Sequence, residues 1–263
     1  MTTNNSLDLG IKDRVVFIQG GAGDIGEVIV GAFARQNAKV VIADLNVDRA
    51  QEIAKGIEES DVSACLLDTT SEDSIKNAVG FAIKSYGTID VLVNVAGLLC
   101  RKPFFETTKQ DFEESFSVNV TGMFLVSREV SEIMRDNRSG SIINISSING
   151  KLAVENRVVY GTTKSAVNML TKSMALELAP FGISVNAVAP GVVDSKMARV
   201  RLNTPELRKK YEDAIPLNRL ALPLDAAYCV LFLASPYAKY ISGEIVLVDG
   251  ALTARMSLPK PQS

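Results

Sequence analysis

Tyr160 and Lys164 stand four residues apart in the segment 141–166, SIINISSINGKLAVENRVVYGTTKSA. On a helix that spacing puts both side chains on one face, one turn apart. A phenol with an ordinary pKa near ~10 is a poor acid–base group at neutral pH. A neighbouring ammonium favours the phenolate and brings the tyrosine into working range. Ser147 lies upstream at the end of an apolar run, where its hydroxyl can hydrogen-bond a substrate oxygen while Tyr160 exchanges the proton. Ser146 is the adjacent rival, but alternation along a strand turns only one of the two toward a cleft, and the spacing to Tyr160 favours Ser147. A lone Tyr-x-x-x-Lys is usually a surface pair. The serine before it, with the glycine cluster and acidic strand end described below, reverses those odds.

Composition narrows the alternatives. The chain has 263 residues, 28 Lys+Arg against 30 Asp+Glu, a formal net charge of −2, and neither histidine nor tryptophan. Without histidine there can be no Ser-His-Asp or Cys-His hydrolase and no imidazole-based zinc site. Cys65, Cys100 and Cys229 are odd in number and form no CxxC pair, so neither a disulfide framework nor a thiolate metal site is indicated, and a reducing cytoplasmic setting fits. The near-neutral balance argues against a nucleic-acid partner, and Arg208-Lys209-Lys210 reads as a solvated helix face. The start, MTTNNSLDLG, lacks the features of a signal peptide, and no run approaches a membrane span.

A second chemical feature sits near the start. Gln19-Gly20-Gly21-Ala22-Gly23-Asp24-Ile25-Gly26 follows a short apolar run and precedes a helical pattern. Glycines there let the backbone turn sharply and approach a pyrophosphate, and the helix N-terminus behind offers free N–H groups. No Lys-Ser/Thr follows, which excludes a P-loop. Asp44, at the end of the second apolar run, can accept hydrogen bonds from the adenosine ribose hydroxyls and repel a 2′-phosphate. Neither Leu45 nor Asn46 supplies a balancing positive charge, which points to NAD rather than NADP; the rival reading is that Asp44 caps the next helix. Asp24 is read as the N-cap of the first helix.

The elements that must position these groups follow from periodicity. Continuously apolar, Val/Ile-rich runs at 15–19, 39–43, 63–67, 91–95, 141–145, 184–188 and 244–248 read as strands buried on both faces. Amphipathic stretches at 47–59, 71–85, 109–136, 158–180 and 224–234 read as helices between them. The alternation predicts an α/β fold: a doubly wound parallel sheet, Rossmann-like, of about seven strands in a single domain with helices on both faces. Residues 13–250 form that domain, 1–12 and 251–263 read as tails, and 195–214 as a mobile substrate lid.

Jointly these motifs resemble the short-chain dehydrogenase/reductase family, single-domain type, over about 14–250. The family's Thr-Gly-x-x-x-Gly-x-Gly turn corresponds to 19–26, with Gln19 for Thr and Asp24 for the middle Gly. Asn94-Val95-Ala96-Gly97 corresponds to its Asn-Asn-Ala-Gly. The resemblance implies an NAD-dependent oxidoreductase moving a hydride between a secondary alcohol or ketone and nicotinamide, with Asn119, Ser147, Tyr160 and Lys164 as catalytic residues. It implies cofactor contacts from Gly20, Asp24, Ile25, Gly26, Asp44, Leu45, Asp68, Thr69, Asn94, Ala96, Gly97, Tyr160, Lys164, Pro190, Gly191, Val193 and Ser195, with Ser195 where Thr is usual. The last strand's ending, Val248-Asp249-Gly250, matches as well. By the same resemblance Lys164 lowers the Tyr160 pKa and Asn119 holds a proton-relay water through its main chain. A homotetramer is the family's default assembly. Substrate identity falls to 98–105, 150–157 and 195–214, whose Arg101, Lys102, Lys151, Arg157, Arg199 and Arg201 suggest a small polar substrate such as a sugar, sugar acid or polyol. Substrate contacts are expected from Ser147, Tyr160, Arg101, Lys151 and Arg157. Phe104 and Phe105 keep a hydroxysteroid alternative open; a 3-oxoacyl reductase and a non-catalytic NAD-binding sensor are the others.

Overall fold

Seven short strands line up in parallel in the order β3-β2-β1-β4-β5-β6-β7. They are β1 Val15–Gln19, β2 Lys39–Asp44, β3 Val62–Leu66, β4 Val91–Asn94, β5 Gly140–Ile145, β6 Ile183–Pro190 and β7 Ile245–Val248. This is the structure given by a computed structural model, which describes residues 8–58 and 60–254. The strand order reverses direction between β1 and β4, which opens a crevice at the carboxyl ends of those strands.

Alternation along each central strand feeds two cores. Val16 and Ile18 of β1 join Ile29, Val30 and Phe33 of helix α1 (Asp24–Ala34) and Val230 and Leu231 of α9 (Pro223–Ala234) on one face. Phe17 points the other way, toward Val79 of α3 (Glu72–Tyr86) and toward Val126 and Val130 of α5 (Met123–Asp136). Burial on both faces is why the central strands read as unbroken apolar runs. The remaining helices are α2 (Val47–Lys55), α4 (Lys109–Phe116), α6 (Val158–Leu178), α7 (Lys196–Arg201) and α8 (Pro205–Ala214).

Three expectations change. The helix expected over 109–136 is three pieces, because a π-helical turn, Ser117–Gly122, separates α4 from α5. The lid carries α7 and α8 and packs on a small core of Leu202, Ile215 and Leu220, joined by Leu252. Residues 8–12 are no tail, since Ile11 is fully buried in the first core. Residues 1–7 and 255–263 of the expected tails lie outside the described residues.

Candidate active site

Ser147 sits two residues past the end of β5 and caps a 3-10 turn, Ile148–Gly150. Its Oγ accepts the Asn149 N–H at 3.1 Å and donates to Asn149 Oδ1 at 3.3 Å. Ser146 turns the other way and donates to Asn168 Oδ1 at 2.6 Å, which leaves Ser147 as the serine beside Tyr160. Tyr160 and Lys164 lie one turn apart on α6, with Nζ 5.8 Å from the phenol ring centroid.

The electrostatics depart from the sequence reading in one respect. Lys164 is buried, and its Nζ donates to the carbonyl of Ile145 at 2.7 Å. Burial pushes that ammonium down to about 8. Burial also raises the Tyr160 phenol, while a hydrogen bond from Ser147 and the charge of Arg157 pull it back down. Arg157 thus adds a positive charge beside the phenol, while Lys164, 5.8 Å from the ring centroid, also bonds the strand end.

Asn119 is fully buried inside the π turn. Its Oδ1 accepts the Leu98 N–H at 2.7 Å, and its Nδ2 donates to the Leu98 carbonyl at 2.9 Å and to Thr163 Oγ1 at 3.0 Å. The side chain thus ties the loop after Gly97 to α6, while the π turn takes the main-chain carbonyls out of the regular helical ladder. A Cβ added to Gly97 would lie 3.3 Å from Asn119 Oδ1 and 3.4 Å from Lys164 Nζ, so this glycine borders both groups. No periodicity signals a π turn, and only the resemblance pointed to Asn119.

The glycine turn has the shape a dinucleotide needs. Gly20 has a positive φ of 79°, and a Cβ there would stand 2.4 Å from the Ala96 nitrogen. A Cβ on Gly26 would stand 2.3 Å from the Gly20 carbonyl oxygen. The first helix is capped by Gly23 without any side-chain cap, which corrects the reading of Asp24 as N-cap. Asp24 is the first helical residue, and its carboxylate instead accepts the Lys196 backbone N–H at 2.7 Å, tying the glycine turn to the start of α7. Uncapped, the first-turn N–H groups around Ile25 are available to phosphate oxygens. Gln19 sits where the family has Thr, and its Oε1 accepts the Ala96 N–H at 3.2 Å.

Asp44 accepts the Ala22 N–H and the Asn46 N–H, both at 2.9 Å. Asn46, not Asp44, caps α2, so the capping alternative falls away. Leu45 beside it is exposed. Arg49, near the start of α2, is engaged by Glu27 at 2.9 Å and Glu52 at 3.1 Å. Asp68, held below the usual carboxylate range by its hydrogen bonds from Thr70, and buried Thr69 lie just beyond β3.

Some expected contacts are differently employed. The Asn94 amide is fully buried and donates to Ser127 at 2.9 Å and Asn144 at 2.8 Å, so its side chain braces the core instead of facing a cofactor. Pro190 ends β6, and the Gly191 N–H bonds the Val248 carbonyl at 3.0 Å, placing this turn against β7. Val193 bridges Ala221, and the Ser195 hydroxyl caps α7.

Beside Asn149 and Arg157 opens a cleft of ≈ 510 Å³, lined also by Lys102, Lys151, Phe104, Leu152 and Val154 and by the Gly161, Thr162 and Ser165 face of α6; Ser147, Tyr160 and Lys164 are not in its lining. Arg101 is exposed and does not line it. Lys102 pairs with Asp111 at 2.7 Å, and Arg199 pairs with Asp194 at 3.0 Å, so the basic bias is partly spent. The Arg201 side chain lies outside the described residues. Asn149 was missed by sequence reasoning, since nothing in the local sequence marks an asparagine two residues after the serine.

Comparison with known proteins agrees with this geometry. A family profile described as enoyl-(acyl carrier protein) reductase matches residues 20–253. Cyclopentanol dehydrogenase of Comamonas testosteroni is 35% identical over 93% of this chain and 98% of its own. A solved 7α-hydroxysteroid dehydrogenase, complexed with NADH and 7-oxo glycochenodeoxycholic acid, superposes with a TM-score of 0.88 at 34% identity, covering 92% of this chain and 95% of its own. A gluconate 5-dehydrogenase from Burkholderia cenocepacia, in complex with NADP and tartrate, also gives 0.88, at 29% identity over 93% and 97%.

Proposed function

Because the chain belongs to the short-chain dehydrogenase/reductase family, an oxidoreductase family, we propose that it is an NAD-dependent dehydrogenase of small polar secondary alcohols. The observation that carries this reading is the convergence of Ser147, Tyr160 and Lys164 just beyond the carboxyl end of β5, across the crevice from the uncapped glycine turn. A nicotinamide cofactor, when bound, supplies the hydride acceptor or donor. Gly20, Ile25 and Gly26 would hold its phosphates, Asp44 its adenosine ribose, and Asp68 and Thr69 its adenine side. In oxidation Tyr160 takes the proton of the substrate hydroxyl; in reduction it returns one. Ser147 donates a hydrogen bond to the substrate oxygen, and Lys164 sits behind the phenol as a poised cation. Asn119 fixes the loop at Gly97 beside that lysine and leaves its main chain to a proton-carrying water.

NAD over NADP is supported by Asp44, whose carboxylate is held against the glycine turn, and by Arg49, whose guanidinium is committed to two glutamates. The polar substrate is supported by Lys151 and Arg157, which flank the turn that follows Ser147, and by the tartrate-bound gluconate dehydrogenase neighbour. A second reading, an apolar alicyclic or steroid substrate, is favoured by Phe104, Leu152 and Val154 in the adjoining cleft. We place the protein in the cytoplasm, which its free cysteines support, and no described helix is long and apolar enough to cross a membrane. We expect a homotetramer.

Cofactor reduction measured across sugar acids, polyols, alicyclic alcohols and hydroxysteroids tests the assignment. Turnover is expected with the polar set and is expected to fall about a thousandfold in Tyr160→Phe while cofactor binding is retained. Near wild-type turnover in that variant refutes the mechanism, and turnover of steroids alone refutes the polar substrate.

A further inference from the structure

Asn149 stands between two groups of the site. Its Oδ1 takes hydrogen bonds from Ser147 Oγ at 3.3 Å and from Arg157 Nη1 at 3.2 Å, and its own N–H donates to Ser147 Oγ at 3.1 Å. The amide is buried, at 5% exposure, and its Nδ2 finds no hydrogen-bond partner among the described residues. A buried amide normally turns to satisfy its NH₂ group. Turning here would aim that NH₂ at a guanidinium, donor against donor. Arg157 therefore fixes which end of the amide meets Ser147. Arg157 is also the residue immediately before α6, three positions ahead of Tyr160, so both emerge from the first turn of the helix.

We propose that Arg157 and Asn149 form a positioning pair: Arg157 orients the Asn149 amide, Asn149 holds the Ser147 hydroxyl, and the guanidinium at the start of α6 favours the Tyr160 phenolate. One Oδ1 shared by two donors binds Ser147 loosely, at 3.3 Å, so the hydroxyl proton can leave Asn149 for the substrate oxygen or the phenolate. The charged groups set about the phenol are Arg157 at the helix start and Lys164 one turn on, the latter occupied by the Ile145 carbonyl. Arg157 thus acts on the proton-transfer apparatus from outside the Asn-Ser-Tyr-Lys set. This role rests on the dehydrogenase reading for its kinetic consequence only.

Two measurements on Arg157→Gln, Arg157→Lys and Asn149→Ala test it. The first needs no cofactor or substrate: ultraviolet titration of phenolate, with Tyr160→Phe subtracted to isolate Tyr160. Arg157→Gln is expected to move that ionisation up by about one pH unit, and Arg157→Lys to restore most of it. The second is the pH profile of kcat for alcohol oxidation. Arg157→Gln should shift its acidic limb upward by about the same amount, and Asn149→Ala should lower kcat about tenfold without moving the limb. An unshifted Tyr160 ionisation in Arg157→Gln, or a change in KM alone, overturns the proposal and makes Arg157 a plain substrate anchor. If the wild type oxidises no alcohol, the dehydrogenase reading fails, and the phenol titration still decides the role of Arg157.

Discussion

Asp44 is a half-buried carboxylate whose two oxygens are already held by backbone N–H groups of the glycine turn and of its own loop. A 2′-phosphate brought there meets a fixed negative charge in a partly desolvated place, where Coulomb repulsion is poorly screened. Asp44→Ala is expected to improve kcat/KM for NADPH by at least about tenfold and to weaken NADH use, read from steady-state rates with each cofactor. No gain with NADPH would show that the carboxylate is not the discriminator. Tyr160, Lys164 and Ser147 were legible in the sequence because helix and strand periods fix their facing with little help from the rest of the chain. Arg157 was read only as a substrate contact, and Asn149 and the partnership between the two were not legible, because that partnership depends on how a 3-10 turn is folded onto the start of α6. The same holds for Asp24, which spacing suggested as a cap and which instead reaches Lys196, far along the chain.

The first strand–turn–helix is the element proposed to carry cofactor binding. Its closest approach is at Gly26, where the Gly20 carbonyl and the Gly21 backbone leave no room for a methyl group. Gly26→Ala must push backbone apart, and overpacking of this kind costs about 1–3 kcal/mol. Thermal unfolding is expected several degrees lower, with cofactor affinity reduced more than about tenfold in fluorescence titration. A variant as stable and as tightly binding as the wild type would mean that the turn opens freely. Elements of this sort were readable to within a residue or two, since buried parallel strands are nearly pure apolar runs. The interruption between α4 and α5 was not, because a π turn alters hydrogen bonding without altering the composition of the segment.

On the scale of the whole molecule, the outer surfaces of the long helices carry exposed apolar side chains among polar ones. Met169 and Leu176 on α6 are 63% and 79% exposed, and Phe124 on α5 is 42% exposed. At the far edge of the sheet, β7 is only partly covered, and Tyr228 and Phe232 of α9 lie open beside it. Two such surfaces on one chain suit two different self-associations, and two twofold contacts generate a tetramer. Sedimentation velocity should show that species, and Leu176→Asp with Met169→Asp should reduce it to dimers. A wild-type monomer would overturn this expectation.

The π turn ties that surface to the chemistry. Each residue advances a helix by about 100°, so the extra residue held in 117–122 sets the rotation of α5 relative to α4. Asn119, buried, lies within that turn, and Phe124, exposed, follows it at the start of α5. Point substitutions along this helix leave the phase intact, whereas adding or deleting one residue would reset it for the asparagine and the outer face together. In descendants of this chain the helix is bound to keep its length.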